Sequence, residues 1–285
     1  MIISKKIRGT IQLFRPELPF AAGVCVILGE IIALGSSPPW RELLLGFACG
    51  FFLSGAALTL NDYFDIEVDK VNAPQRPIPA GLLTPSDAIG LTAIATLIGL
   101  VTAFFIGPLA FIVSAIFWVI GALYNWRYKA SGIWGNLMVA ASVGITFVLG
   151  GIAVGQPMNK VVWSFGLIAF LIDLAEEIAG DAMDMEGDRK RGSKSIALTV
   201  GRDTALRITG SLFVLVVLLS YVPFVLGWLE AGYLLLVSAI GIVVLLFTIR
   251  LVRSQTPQAG RSAMRGIYLS IVFGMIVFIG SQFLV

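Results

Sequence analysis

Two short acidic segments of this sequence carry the same spacing of carboxylates. The first acidic motif, residues 61–69, reads N-D-Y-F-D-I-E-V-D, and the second acidic motif, residues 181–188, reads D-A-M-D-M-E-G-D. Both contain D-x-x-D-x-E-x-D, with aspartates at i, i+3 and i+7: Asp62, Asp65 and Asp69, then Asp181, Asp184 and Asp188. On a continuous helix this spacing places three carboxylates on one stripe. Facing stripes of this kind repel each other unless a cation lies between them.

The chemistry open to these motifs is limited by what the sequence lacks. It contains no histidine, and its two cysteines, Cys25 and Cys49, lie in apolar runs without C-x-x-C spacing. Imidazole acid–base catalysis, thiolate metal sites and a disulfide framework are therefore excluded. Ligands that offer only oxygen favour a hard cation, Mg²⁺ before Ca²⁺ or Mn²⁺, and substrate phosphate usually completes the coordination of Mg²⁺. The motifs predict a metal-bridged diphosphate site.

The alternative interpretation is that the motifs are solvated helix ends with local ion pairs. The repeated aspartate spacing argues against it, whereas Glu67 and Glu186 turn away from the stripes. Basic residues follow each motif: Arg76 in the proline-rich segment 72–81, then Tyr124, Arg127, Tyr128 and Lys129, and later Arg189, Lys190, Arg191 and Lys194. Any of them could hold phosphate oxygens, although Lys and Arg in such loops also serve membrane topology.

The composition indicates which elements must position these residues. Of 285 residues, 58% are apolar and 13% charged, with a mean hydropathy of +0.93. This excludes an ordinary soluble domain, a disordered chain and a nucleic-acid binder, and it predicts one all-α, polytopic membrane domain over residues 1–285. The predicted spans are 17–35, 43–61, 86–106, 108–124, 132–151, 161–180, 204–227, 231–250 and 264–285. A single bent segment around Gly107 would reduce this count by one.

The distribution of basic residues predicts the orientation. All of the 20 Lys and Arg residues except Arg41 and Lys160 fall on the side of the N-terminus and the two acidic motifs. That side is therefore predicted to be cytoplasmic, in a multi-pass protein of the cell membrane. Glu30 and Asp173 are ionisable residues within apolar segments, a placement typical of functional residues. Asp173 and Glu177 extend the second stripe towards the membrane.

Together these residues resemble a known family. Asn61-Asp62-x-x-Asp65-x-x-x-Asp69, followed by R-P-I-P-A-G at 76–81, and the later Asp181-x-x-Asp184-x-x-x-Asp188 resemble the two signature motifs of the UbiA superfamily of intramembrane prenyltransferases. The resemblance covers nearly the whole chain. It implies a helical bundle around a central cavity that opens laterally to lipid, and Mg²⁺ ions that bind an isoprenyl diphosphate.

The resemblance also implies roles for individual residues. It assigns Asn61, Asp65 and Asp69 to the first metal site, with Asp62 as a further candidate ligand, and Asp181, Asp184 and Asp188 to the second. The diphosphate would be held by Arg76, Tyr124 and Lys129, and Arg15 matches a common N-terminal Arg-Pro. Glu177 is a further candidate substrate contact. Asp65, Asp181 and Asp184 are the residues expected to be catalytic.

Within the superfamily, the segments around both motifs are most similar to the archaeal-type ether-lipid branch, the digeranylgeranylglyceryl phosphate synthases, and next to the chlorophyll synthases. That branch usually has Arg and Lys where this chain has Glu176 and Gly180, a difference that concerns the acceptor and not the metal ligands. The expected reaction transfers a geranylgeranyl group from its diphosphate to geranylgeranylglyceryl phosphate.

Two kinds of alternative remain. An aromatic, quinone-type or chlorophyll-type acceptor is the first, with chemistry on the same diphosphate. The second is a cation-coupled transporter, whose carboxylates should lie near the bilayer midplane and not at the interface. The expected partners are the isoprenyl diphosphate, a lipid-soluble acceptor and membrane lipid, with neither nucleic acid nor an obligatory protein partner.

Overall fold

The computed structural model describes residues 2–282, and every regular element within that range is a helix. The elements are α1 (Ile2–Phe14), α2 (Glu17–Leu34), α3 (Trp40–Phe64), α4 (Ile66–Asn72), α5 (Pro85–Ile106), α6 (Pro108–Leu123), α7 (Ile133–Ala153), α8 (Lys160–Met183), α9 (Met185–Arg191), α10 (Ile196–Val200), α11 (Arg202–Ser220), α12 (Val222–Val225), α13 (Ala231–Val252) and α14 (Pro257–Gln282). A π-helical turn, Tyr124–Tyr128, follows α6. The predicted all-α class is confirmed.

The long helices correspond to the predicted membrane spans. Within the described residues, 8 helices are long and apolar enough to cross a membrane: α2, α3, α5, α6 with the π-helical turn, α7, α11 with α12, α13 and α14. The remaining predicted span, α8, has 24 residues but carries Asp173, Glu176 and Glu177. The chain is therefore a multi-pass membrane protein.

Some predicted boundaries need correction. Gly107 separates α5 from α6, because Pro108 starts a new helix there, so the two predicted spans are distinct helices. The predicted span 204–227 consists of α11 and the short α12, which together cover Arg202–Val225. The last span begins at Pro257 and not at 264, while residues 283–285 of that prediction lie outside the described residues.

The first compact unit contains residues up to 34, 38–127 and 146–157. Its central helix, α3, packs against α2 and α5. Glycines allow the closest approach between helices, since a Cβ on Gly29 would collide with the carbonyl of Phe147 and one on Gly150 with that of Val26. Glu30, one of the two ionisable residues that the sequence places within apolar segments, is fully buried beside Gly46. This unit carries the first acidic motif at the end of α3.

The second compact unit contains residues 35–37, 128–145 and those from 158 onward. In it α8 packs against α11 and α14, and α13 packs against α11 and α14. Large side chains fill the space between these helices, among them Ile178, Leu206, Phe213 and Leu251, each at most 1% exposed. The second acidic motif lies at the end of α8, where this packing fixes the helix.

Candidate functional site

The first acidic motif spans a bend between two helices. α3 ends at Phe64, Asp65 has φ −89° and ψ 2°, and α4 starts at Ile66. The Asp65 N–H donates to the Asn61 carbonyl (3.0 Å), and the Asp69 N–H donates to the Asp65 carbonyl (2.8 Å). The helical hydrogen-bond ladder therefore continues through a residue whose backbone lies in the sparsely populated bridge region. The first motif is therefore bent at Asp65 and is not one continuous straight helix.

Arginines contact the buried carboxylates of this motif. Asp62 is only 3% exposed and pairs with both Arg15 and Arg76, the latter at 3.3 Å. The Arg76 guanidinium also donates to Asp69 at 2.7 Å, so one side chain bridges two carboxylates. Burial raises the pKa of the Asp69 carboxyl, the bond from Arg76 opposes that rise, and the Asp65 and Asp62 carboxylates add to it. The first motif is thus a compact, charge-balanced cluster.

Local backbone structure places each arginine. Arg15, between α1 and α2, has φ 48°, a left-handed conformation that is uncommon for a residue with a side chain. Such strain persists only where surrounding contacts enforce it, and the ion pair with Asp62 is one of these contacts. Arg76 lies in a tight series of turns in which the N–H groups of Leu82 and Leu83 both donate to the Pro77 carbonyl. The proline-rich loop therefore holds Arg76 over the motif.

Asn61 is oriented by a second asparagine, Asn125. The Asn125 side-chain nitrogen donates to the carbonyls of Gly121 (3.1 Å) and Ala57 (3.4 Å). Its oxygen must then act as the acceptor, and it receives the Asn61 side-chain N–H at 2.9 Å. The network therefore directs the amide nitrogen of Asn61 towards Asn125, which leaves its oxygen as the atom that a hard cation would use.

The second acidic motif has the same local backbone. α8 ends at Met183, Asp184 has φ −111° and ψ 14°, and α9 starts at Met185. The Asp184 N–H donates to the Gly180 carbonyl (2.9 Å) and the Asp188 N–H to the Asp184 carbonyl (3.0 Å). The middle aspartate is thus the bend residue in both motifs. The second motif is therefore bent at the same position as the first.

The side chains of the second motif have different partners. One oxygen of Asp181 accepts from the Asn136 side chain at 3.1 Å and from the Ile196 backbone N–H at 3.2 Å. Asp184 accepts from Arg261 at 2.5 Å, and both of those side chains are 56% exposed. A Cβ on Gly260 would lie 2.9 Å from the Met183 side chain, so α14 approaches the motif closely beside that pair.

The predicted diphosphate ligands of the central loop lie in well-defined positions. Tyr124 opens the π-helical turn of the first unit, and Lys129 lies in the second unit, just before α7. The segment after Lys129 is fixed because the Lys194 N–H donates to the Ala130 carbonyl at 2.9 Å, and Gly132, at φ 70°, lies against the Lys194 carbonyl. Lys129 acts electrostatically on Glu177 in α8.

Further acids line α8 below the second motif. Asp173, Glu176 and Glu177 lie within about two turns of Asp181, since a helix rises 1.5 Å per residue. One Asp173 oxygen is buried and has no hydrogen-bond partner among the described residues. The predicted extension of the second stripe along α8 is therefore a real row of carboxyl groups within one helix.

The donor set fits a hard divalent cation. Among the described residues, no three His, Cys, Asp or Glu side chains converge on one point. Magnesium does not need such convergence, because it is usually held by one or two carboxylates and completed by water and substrate phosphate. All candidate ligands in both motifs offer oxygen, and each motif presents several. The residues present thus suit Mg²⁺ by their chemistry.

Sequence reasoning missed three residues that contact the motifs: Asn125, Asn136 and Arg261. The two asparagines are 8% and 7% exposed; Asn125 lies in the π-helical turn after α6 and Asn136 in the first turns of the apolar helix α7. A buried amide in such a region needs a partner, and that was the available signal. Arg261 had no comparable signal, since it is one of many basic residues on its side of the chain.

Comparison with known proteins identifies the class. The UbiA prenyltransferase family matches residues 22–281. A digeranylgeranylglyceryl phosphate synthase of Thermococcus kodakarensis is 31% identical over 94% of this chain and 96% of its own length. A solved structure of digeranylgeranylglyceryl phosphate synthase has a TM-score of 0.82 and 28% identity, covering 98% of this chain and 99% of that one. A UbiA homologue from Archaeoglobus fulgidus bound to DMAPP and Mg²⁺ has the same fold, with a TM-score of 0.70, 20% identity and coverage of 94% and 98%.

The chain belongs to the UbiA prenyltransferase family. The resemblance predicted from the two acidic motifs is confirmed, and the protein is a membrane-embedded prenyltransferase. This class accounts for the acidic motifs better than the cation-coupled transporter does.

Proposed function

We propose that this protein transfers a geranylgeranyl group from geranylgeranyl diphosphate to geranylgeranylglyceryl phosphate, with Mg²⁺ as its cofactor. The observation that carries the proposal is the pair of acidic motifs, which have the same local backbone structure and are each bent at the middle aspartate. The relative from T. kodakarensis, similar over nearly the whole chain, supports the acceptor. We treat residues 1–285 as one catalytic domain, in the cell membrane, with both motifs and the N-terminus on the cytoplasmic side.

In this proposal each motif would bind Mg²⁺ through carboxylate and amide oxygens. Asn61, Asp62, Asp65 and Asp69 would provide oxygen ligands for one ion, and Asp181, Asp184 and Asp188 would provide them for another. The chemistry supplied by bound Mg²⁺ is neutralisation of charge on the departing diphosphate. Arg76 is fixed between Asp62 and Asp69. Its guanidinium has further donors with which to hold phosphate oxygens, together with Tyr124 and Lys129.

The remaining steps concern the isoprenyl group and the acceptor. The bond between the allylic carbon and the diphosphate oxygen breaks, and the departing diphosphate keeps the electron pair. The acceptor hydroxyl oxygen forms the new bond to that carbon, and its proton passes to the released diphosphate. Arg15 stabilises the first motif through Asp62. Glu177 on α8, which interacts electrostatically with Lys129, is proposed to contact the substrate. Apolar helices exclude the water that would otherwise capture the allylic cation.

A second candidate function is prenylation of an aromatic acceptor of the quinone type. It is favoured by Glu176 and Gly180, which stand where the ether-lipid branch usually has Arg and Lys. Without those two cations, α8 carries acids at Asp173, Glu176 and Glu177, an arrangement less suited to an acceptor phosphate. The two candidates share the diphosphate chemistry and differ only in the acceptor.

A turnover assay with purified protein separates the candidates. Labelled geranylgeranyl diphosphate and Mg²⁺ are supplied with either geranylgeranylglyceryl phosphate or 4-hydroxybenzoate, with excess EDTA as the metal control. We expect product from the glycerol ether alone, and none with EDTA. Product from the aromatic acid alone would replace the proposed acceptor with the second candidate. Undiminished product in EDTA would contradict the role of Mg²⁺.

A further inference from the structure

An open groove of about 520 Å³ lies between α11 and α13, entirely within the second unit. One wall comes from a single face of α11, with Arg207, Gly210 and Val214 at intervals of three and four residues. The other wall includes Thr248, Ile249 and Arg253, the last being the residue that caps α13. α11 with α12 and α13 are each long and apolar enough to span a membrane, so an open groove between α11 and α13 is accessible to lipid in our proposal.

The groove is polar at one end and apolar at the other. Arg207 lies near the start of α11 and Arg253 at the end of α13, so the two guanidinium groups occur at the same end of an antiparallel pair. About 10 Å along α11, by the rise of a helix, the lining becomes apolar at Val214, which is 43% exposed. Ile249 on the facing wall is 50% exposed. This pattern matches an amphiphile with a charged head and a hydrocarbon chain.

The arginines of the groove differ from their neighbours in their contacts with the described part of the protein. Arg202 donates to the Ser254 carbonyl at 2.7 Å, and Arg250 lies over the Phe247 ring at 5.2 Å. Among the described residues, the side chains of Arg207 and Arg253 make neither an ion pair nor a hydrogen bond. No acidic residue is among the groove's lining residues in the described part of the chain. The two guanidinium groups therefore face the same groove without a counter-charge from these residues.

A second groove, in the first unit, shows the contrast. It also lies among apolar side chains, Leu44, Leu45 and Phe105, and contains one arginine, Arg41. There the guanidinium donates to Glu42 at 3.0 Å and to the Phe105 carbonyl at 2.5 Å. Arg41 is thus satisfied by the protein. In the groove between α11 and α13, by contrast, the positive charges of Arg207 and Arg253 have no such partner among the described residues, so an external anion could bind there.

We propose that this groove binds the head group of an anionic phospholipid, with one hydrocarbon chain lying over Val214 and Ile249. Arg207 and Arg253 would hold the phosphate oxygens, because guanidinium groups form charge-assisted, often bidentate bonds with phosphate. The exposed hydroxyl of Ser211 offers a further donor. The cavity volume lies within the range of small-molecule sites. The site is independent of the prenyl-transfer residues, and lipid bound there would stabilise the α11–α13 pair.

The test compares lipid binding by matched variants in detergent, using native mass spectrometry. Dioleoylphosphatidylglycerol is the anionic probe and dioleoylphosphatidylcholine, with the same chains, is the zwitterionic one. The variant R207Q/R253Q removes the groove's charges. The matched control R250Q/R265Q removes two exposed arginines from the same unit that do not line the groove.

We expect the wild type and R250Q/R265Q to bind one phosphatidylglycerol in preference to phosphatidylcholine. R207Q/R253Q should bind phosphatidylglycerol about tenfold or more weakly, as expected from the loss of charge-assisted hydrogen bonds. Phosphatidylglycerol should also raise the thermal unfolding midpoint of the wild type and not that of R207Q/R253Q. A cooperative unfolding transition of R207Q/R253Q without lipid checks that this variant is folded. Equal loss in both double variants, or no loss in R207Q/R253Q, would overturn the proposal.

Discussion

In the first acidic motif two arginines contact the buried carboxylates, whereas in the second an amide and a backbone N–H hold the inner carboxylate. Asp62 and Asp69 are 3% and 5% exposed and share Arg76. Asp181 is bonded to Asn136 and Ile196, and the next aspartate, Asp184, is 56% exposed. The backbones match, but the charge of the first motif is largely balanced within the protein and that of the second is balanced less.

The repeated aspartate spacing therefore accounts for the matching backbone of the two motifs, whereas residues outside the motifs determine how the charge of each motif is balanced. The bend at the middle aspartate is common to both motifs, and so are the hydrogen bonds on either side of it. A cation that binds the first motif must compete with Arg76 or share phosphate oxygens with it. A cation at the second motif meets Asp181, which is held by neutral donors, and Asp184, which is paired only with the exposed Arg261. We therefore expect the two motifs to bind metal with different strengths.

The largest expected effect follows replacement of the middle aspartates. Asp65→Ala or Asp184→Ala removes the bend residue's carboxylate, and we expect turnover to fall by about 10³-fold or more, comparable to the loss of a strong transition-state contact. Glu67→Ala and Glu186→Ala are matched controls, because each occupies the same position in its motif and is exposed. Normal turnover in either aspartate variant, in protein that remains folded by circular dichroism, would contradict the role of that motif.

The next effect concerns the charge balance of the first motif. Arg76→Lys keeps the charge but loses the planar fork that contacts both Asp62 and Asp69. We expect kcat/KM for the isoprenyl diphosphate to fall by about 10²-fold, since positioning of both carboxylates and phosphate is lost. Steady-state kinetics measures this. Arg8→Lys, the same exchange at an exposed position, should leave kcat/KM unchanged.

A smaller effect should follow loss of the asparagines that orient the first residue of each cluster. Asn125→Leu leaves the Asn61 side-chain N–H without its acceptor, and Asn136→Leu removes one hydrogen-bond donor to the Asp181 carboxylate. We expect metal affinity to fall about tenfold, as for partners that orient metal ligands, and unfolding free energy to fall by about 1–3 kcal/mol. Metal titration and denaturant unfolding check the two values. Unchanged metal affinity in both variants would remove their positioning role.

The smallest effect is expected at the exposed pair of the second motif. Arg261→Gln breaks the contact with Asp184, in which both side chains are 56% exposed. Because exposed ion pairs contribute roughly 0–1 kcal/mol, stability should change by no more than about that amount. Turnover should change only a few-fold. A loss as large as that of Arg76→Lys would show that the second motif depends on arginine as strongly as the first does.

The sequence predicts the parts of the molecule that depend on local pattern. The length of the apolar segments predicts the long helices, and the repeated aspartate spacing is enough to identify both motifs. That spacing does not predict the bends at Asp65 and Asp184, because i, i+3, i+7 suits a continuous helix equally well. The short helices α4 and α9 follow from those bends.

The partners of the motifs were harder to predict because they depend on tertiary contacts. Arg15 is 47 positions from Asp62, and Arg261 is 77 positions from Asp184. No local rule relates residues so far apart. Arg15 became a candidate only through the family resemblance, and Arg76 because it follows the first motif closely. Asn125, Asn136 and Arg261 are identified only by the contacts that the folded chain makes.

Counting bound metal ions tests the central claim most directly, since Mn²⁺ can replace Mg²⁺ and be followed by electron paramagnetic resonance. Purified protein is titrated with Mn²⁺ in the presence of an unreactive isoprenyl thiodiphosphate. If each motif holds a cation, Asp65→Ala and Asp184→Ala should each bind fewer Mn²⁺ ions than the wild type, while Glu67→Ala and Glu186→Ala bind the same number. An unchanged number of ions in both aspartate variants would contradict the claim that the two motifs are metal sites.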